Sequence, residues 1–218
     1  MAPADRTTDR ETLRRLLTEK AFVTAADGRV LRDRSGSHVP WLYYGGEVSL
    51  TAEGARLMAS VVLERLGTFA ATQLATYGLS AIPLVATCIA QGDSRYSGLI
   101  VRKETKDHGE GGNIIGSPLR GAVLIVDDVI TAGTAIRESI DIIRAAGARP
   151  AGVLLALDRQ ERAPDSRLSA VQEVQDRYGI PVVTVVNLAD LMQHISAQGL
   201  RDDVLRMQTY KERYGLAD

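Results

Sequence analysis

The stretch VLIVDDVITAGTAIRESIDII, residues 123–143, constrains this chain more than any other. The apolar run AVLIVDD, 122–128, ends in two adjacent carboxylates, Asp127 and Asp128. Unbroken apolar runs of this kind belong to strands buried on both faces, as in parallel sheets covered by helices on each side. A loop of small residues follows, Thr131-Ala132-Gly133-Thr134, and an amphipathic helix is expected over 134–146. Small residues let backbone N–H groups approach an anion, and the helix dipole adds to the attraction. Thr131 and Thr134 bring hydroxyl donors to the same place. Two acids beside such a nest would repel a phosphate, so they make sense facing hydroxyl groups or a hydrated Mg²⁺. The other reading is a buried strand whose terminal acids cap a helix. The whole string, apolar strand, paired acids, TxGT and helix, favours a phosphosugar site.

The rest of the chain alternates around that strand. Residues 1–8 read as a loose tail. From Asp9 the spacing of Leu13, Leu16, Leu17 and Phe22 predicts a helix. Residues 24–48, rich in Gly, Asp, Ser and Arg and containing Pro40, read as loops and short strands. Residues 51–67 predict a second amphipathic helix ended by Gly67. Then come a weak strand at 69–76, a buried helix at 81–90, a strand at 97–102 and a polar, Gly-rich loop at 104–120. Beyond the central unit come a strand GVLLAL, a helix at 166–178, a strand PVVTVVNL and a helical stretch at 188–214. This order predicts one α/β domain, with an irregular N-terminal hood of about 1–48 on a core of about 49–218. In such sheets ligands bind beyond the carboxyl ends of the strands.

Composition narrows the classes. With 26 basic and 27 acidic residues the net charge is -1, which gives no global pull toward nucleic acid or anionic membranes. The single cysteine, Cys88, excludes an internal disulfide framework and a multi-cysteine zinc site, and it fits a reducing compartment. Set among Ala, Thr and Ile, it reads as a core thiol rather than a nucleophile. No apolar run reaches the roughly 18 residues of a transmembrane helix. The polar N-terminus has no apolar segment like that of a secretory signal. The expectation is a cytoplasmic protein with neither nucleic acid nor membrane as partner.

The 123–143 string resembles the phosphoribosyl-diphosphate signature of the type I phosphoribosyltransferases. Upstream, VRKETKDHGEGGNIIG (101–116) looks like the catalytic loop of orotate phosphoribosyltransferases, and downstream LDRQER (157–162) is similar to the same family. The blocks stand in the family's order. The loop also has a reading of its own. Arg102, Lys103, Lys106 and His108 gather cations beside the hinge-like Gly109, Gly111 and Gly112, which suits a mobile lid over a diphosphate leaving group. Against this, Glu104, Asp107 and Glu110 largely cancel the charge, as in a solvated loop.

The resemblance implies a type I phosphoribosyltransferase fold, a parallel sheet flanked by helices with a small N-terminal hood. It implies Mg²⁺-dependent transfer of the 5-phosphoribosyl group from phosphoribosyl diphosphate to orotate, giving orotidine 5-monophosphate and diphosphate in pyrimidine synthesis. Asp127 and Asp128 would meet the ribose hydroxyls and, through water, the metal-bound diphosphate. Thr131, Ala132, Gly133, Thr134 and Ala135 would hold the 5-phosphate. Arg102, Lys103, Lys106 and His108 would serve the diphosphate, partly across a homodimer interface, with Lys106 and His108 acting in catalysis. Arg159 would face the carboxylate of orotate, a fit that guanidinium geometry also supports. Its plainer reading is a surface ion pair with Asp158 or Glu161. Arg34 and Tyr43 would line the base pocket.

Two stretches depart from the family. Residues 34–44 read Arg34-Ser35-Gly36-Ser37-His38-Val39-Pro40-Trp41-Leu42-Tyr43-Tyr44. Arg34 stands where a lysine is common, and Leu42 and Tyr43 where an aromatic pair is common. At 75–83, Ser80 replaces the lysine of the family's diphosphate loop. These departures leave open another acidic or pyrimidine-like acceptor, or a non-catalytic protein of the same fold that senses phosphoribosyl diphosphate. Trp41, Tyr43 and Tyr44 either stack on a base or pack the hood. His38 and His194 read as ordinary surface, packing or capping residues.

Overall fold

The computed structural model describes residues 6–24, 30–32, 38–39, 41–92, 95–106 and 112–216. Its centre is a six-stranded sheet. Strands β5 (Gln73–Thr76), β6 (Ser97–Lys106), β8 (Ala122–Ile130), β9 (Arg149–Asp158) and β10 (Val182–Asn187) run parallel, and β7 (Gly112–Gly116) closes one edge antiparallel to β6. The order across the sheet is β10-β9-β8-β5-β6-β7. From β5 the chain steps one way to β6 and β7, then crosses to β8 and continues outward the other way. The reversal lies between β5 and β8, where loops leave in opposite directions and a crevice opens.

Alternate residues of β8 feed two cores. Leu124 and Val126 pack with α1 (Arg6–Leu16), α3 (Ala52–Leu66), α4 (Ile82–Gln91), α7 (Leu188–Ala197) and α8 (Arg201–Tyr214). Val123 and Ile125 pack with α5 (Thr134–Ala145) and α6 (Ala170–Tyr178) on the other face. Each fully buried Leu or Ile contributes roughly 1.5–3 kcal/mol, so these two layers hold the sheet that positions the loops. Cys88 is fully buried in the first core, and burial pushes its thiol up to about 12.

The N-terminal hood is built from short pieces: β1 (Phe22–Thr24) pairs with β4 (Trp41–Tyr43), β2 (Leu31–Arg32) pairs with β3 (His38–Val39), and α2 (Gly46–Ser49) leads into α3. Trp41 is fully buried, with Phe22 and Tyr210 rings 5.4 and 5.1 Å away, so it packs the hood onto the core. No helix is long and apolar enough to cross a membrane among the described residues.

Four sequence expectations need correction. The segment read as a loop at 104–120 holds strand: β6 runs to Lys106, and β7 pairs with it through Ile100–Ile115 and Val101–Ile114. The first helix loosens into a π turn at Leu17–Ala21, and Phe22 begins a strand instead of completing the helical stripe. Helix α6 begins only at Ala170, where Ser169 and Gln172 form a reciprocal capping box that satisfies two end groups. The C-terminal stretch is two helices, broken at Gly199, which adopts a φ of +76°.

Candidate active site

The carboxyl ends of β5 and β8 meet at a cleft of about 350 Å³. Its walls are Tyr77, Lys103, Asp127, Val129, Ile130, the run Thr131 to Ile136, and Glu138. The floor is the turn into α5. Gly133 takes a φ of +74°, where a side chain would be strained, and an added Cβ would also lie 3.1 Å from Arg137 Nη1. No side chain caps this helix. Its first N–H groups therefore point outward without an intrahelical partner, in the arrangement that binds phosphate. Thr131 and Thr134 are exposed at the mouth, and Thr134 Oγ1 accepts from Arg137 Nη2 at 3.2 Å. Arg137 is itself held by Glu173 at 2.8 Å.

The two acids divide. Asp127 is 6% exposed, lines the cleft, and its Oδ1 accepts from the Asp128 N–H at 2.9 Å. A Cβ built on Gly78 would stand 3.5 Å from that Oδ1, so the turn after β5 passes close beside the acid. Ser80 lies exposed on this turn, and its Oγ would be 3.4 Å from the same Cβ. Asp128 is not among the residues that line the cleft. Its charge adds to burial in raising the Tyr43 phenol above the ordinary tyrosine value, and the Tyr43 hydroxyl is buried with no hydrogen-bond partner among the described residues.

Lys103 reaches the cleft from β6. Its Nζ lies 3.4 Å from Glu138 Oε1, while the Tyr77 hydroxyl donates to the other oxygen of the same carboxylate. The hydrogen bond from Tyr77, followed by Lys103 and Arg137, draws the Glu138 carboxyl below its usual range. Burial, then Glu138, raises Tyr77 to about 12. Sequence reasoning gave Tyr77 and Glu138 no role. Glu138 follows Thr134 by four residues on one helix face, so helical periodicity carried the signal.

Arg159 stands just past β9, whose Asp158 pairs in register with Ile130 at the same sheet edge. Its Nε is 2.7 Å from Glu161 Oε1 but is not aligned for a hydrogen bond. Its Nη2 donates to the Tyr210 hydroxyl, and the guanidinium carbon lies 4.7 Å from the Trp41 ring centre. The pairing with Glu161 from the plainer reading is thus present, but largely shielded from water and not at the surface. Arg102 is tied across the hairpin, with Nη2 donating to Gly112 O at 3.1 Å. Arg34, His108 and the side chain of Lys106 lie outside the described residues. His194 pairs with Gln198 along α7.

A wider surface concavity of about 520 Å³ between Arg162–Arg167 and Arg213–Tyr214 holds Arg162 from the LDRQER block but none of the candidate site residues. Among the described residues no group of three or more His, Cys, Asp or Glu side chains could hold a metal.

A largely parallel sheet whose strand order reverses beside a glycine turn and an uncapped helix N-terminus, with two adjacent acids near the end of β8 and a β6–β7 hairpin at one edge, is the fold of type I phosphoribosyltransferases. It is similar to the crystal structure of orotate phosphoribosyltransferase from Francisella tularensis, with a TM-score of 0.73 and 24% identity over 94% of this chain and 99% of that one. No protein-family model matches. In sequence the chain is 46% identical to the orotate phosphoribosyltransferase of Methylococcus capsulatus over 200 residues, covering 84% of this chain and 88% of the relative. It is 48% identical to that of Thioalkalivibrio sulfidiphilus over 169 residues, covering 71% and 79%. The chain belongs to the orotate phosphoribosyltransferase family.

Proposed function

We propose that this chain transfers the 5-phosphoribosyl group from phosphoribosyl diphosphate to orotate, releasing diphosphate. The observation that carries the reading is the uncapped N-terminus of α5 beside Asp127 at the β5–β8 crevice. The amide groups of 131–135 and the two threonine hydroxyls hold the 5-phosphate. Asp127 and Asp128 accept from the ribose hydroxyls. The ring nitrogen of orotate attacks the anomeric carbon, the bond to diphosphate breaks, and positive charge gathers on the sugar. The base brings its own nucleophile, so positioning and charge stabilisation supply the catalysis.

Two carboxylates are too few to cage a metal, but they fit Mg²⁺, which keeps waters and binds through one or two carboxylates plus substrate phosphate. Asp128, with Asp127 beside it, would hold such an ion through water, and the ion would neutralise the departing diphosphate. Lys103 meets the diphosphate in its own cleft, while Arg102, Lys106 and His108 close as a lid over the partner's site in a homodimer. The Arg159 guanidinium pairs with the acceptor carboxylate, and Tyr43 and Arg34 line the base pocket. The single buried thiol fits a cytoplasmic setting.

The test is a steady-state assay with a panel of bases, run with and without Mg²⁺. Orotate should have the highest kcat/KM, and chelation should abolish turnover. Good turnover of another base beside negligible turnover of orotate would replace the acceptor. Tight binding of phosphoribosyl diphosphate with no turnover of any base would leave a sensor.

A further inference from the structure

Arg159 is held on three sides by groups from three separate parts of the chain. Glu161 lies against Nε, Tyr210 of α8 accepts from Nη2, and Trp41 of the hood lies under the guanidinium plane at 4.7 Å. The Tyr210 hydroxyl donates in turn to Glu161, so acid, phenol and guanidinium close a ring. The assembly is largely shielded from water, with side-chain exposures of 12% for Arg159 and 16% for Glu161. Tyr210 is buried, and its ring meets Trp41 edge-on at 5.1 Å. Backbone contacts fix the frame: Glu161 bridges to Gly215, and Arg162 N–H donates to Tyr214 O at 2.8 Å.

A guanidinium can meet a carboxylate through two edges, the side edge of Nε and Nη2 or the end edge of Nη1 and Nη2. Here the side edge is taken by Glu161 and Tyr210. Nη1 has no hydrogen-bond partner among the described residues. We infer that Glu161 and Tyr210 are positioning residues for the acceptor site: they lock Arg159 so that only its end edge is offered to the carboxylate of the base. The inference rests on the proposed pairing of Arg159 with that carboxylate. Its physical content is pre-organisation. An arginine fixed before binding loses little side-chain freedom when the base arrives, so the clamp acts on acceptor affinity and not on the phosphoribosyl donor. It also makes the C-terminal helix, remote from the phosphate nest in sequence, part of acceptor recognition.

The experiment compares Arg159→Ala, Tyr210→Phe, Glu161→Gln and the double variants Arg159→Ala/Tyr210→Phe and Arg159→Ala/Glu161→Gln, each checked for native melting. Tyr210→Phe keeps the ring packing, and Glu161→Gln guards against a Tyr210 variant that fails to fold. Each of the two should raise the KM for orotate roughly tenfold, the scale of one hydrogen bond to a charged group. The KM for phosphoribosyl diphosphate should stay within about twofold, and neither change should add to the effect of Arg159→Ala. If Arg159→Ala weakens orotate but Tyr210→Phe and Glu161→Gln do not, or if their effects persist undiminished without Arg159, the positioning role is overturned and the arginine pairing stands. If Arg159→Ala leaves the KM for orotate unchanged, the pairing itself falls and takes the clamp with it.

Discussion

Asp127 and Asp128 are neighbours in sequence yet stand in different surroundings, one lining the cleft and one outside that lining whose charge is felt by Tyr43 of the hood. A strand alternates its side chains across the sheet, so adjacent acids serve two directions. Changing both to Asn keeps their volume and removes both charges. We expect turnover to fall below detection with melting temperature nearly unchanged, checked by steady-state assay beside calorimetry. Activity within a few-fold of the parent would show that the reaction occurs elsewhere. The two acids were legible in the sequence because they end an otherwise unbroken apolar strand. Of the clamp around Arg159 only the neighbouring Glu161 was legible, because Trp41 and Tyr210 reach the arginine through tertiary packing. The LDRQER string revealed the arginine and, alone, gave no sign of the phenol that holds it.

The β8–α5 unit shows which elements a sequence can specify. Its strand is buried on both faces and its turn demands a positive φ, so pattern and turn chemistry agree over 122–145. Gly133→Ala should cost about 1–2 kcal/mol of stability from the left-handed backbone. The same change should raise the KM for phosphoribosyl diphosphate, because a turn that relaxes its left-handed backbone and makes room beside Arg137 and Ala170 shifts the amide groups that follow it. Thermal melting and substrate titration together check this, and an unchanged KM would place the phosphate away from the turn. The β7 arm of the β6–β7 hairpin is the opposite case. The charged and glycine-rich run after the strand at 97–102 reads as loop, and only the pairing of Ile114 and Ile115 with Val101 and Ile100 makes 112–116 strand. Lys106 ends β6 at the tip of this hairpin. An interaction made mainly as charge develops lowers kcat and leaves KM almost untouched. Lys106→Ala should therefore reduce kcat by about 10²–10³. An equal loss in binding of phosphoribosyl diphosphate would mean that the lysine acts in the ground state.

At the scale of the molecule, the proposed homodimer can be tested by mixing two inactive variants. A hybrid of Lys106→Ala with the Asp127→Asn/Asp128→Asn chain has one site with intact acids and an intact lid from the other subunit. Random pairing should restore up to about a quarter of the parent activity. No recovery in verified hybrids would mean that each lid covers its own subunit. The packing also sets an alkaline limit. Burial raises Cys88 from 9.0 to about 12 and lifts Tyr43 and Tyr210 above their ordinary 10.0. Above pH 9.0 the unfolded chain releases these protons first while the folded chain retains them, so stability contributed by their neutral forms is lost as pH rises. The melting temperature should decline from about pH 9 upward, and a flat profile to pH 11 would show these groups to be solvated.

The carboxylate of Glu138, which holds Lys103 beside the phosphate nest, gives this site a resident counter-ion. A phosphate bound in this cleft would compete with that carboxylate for Lys103, so pairing there would exchange one anionic partner for another. The displaced carboxylate would keep its tie to Tyr77, ready to reclaim the ammonium group. Release would then be helped by a competitor that never leaves the protein.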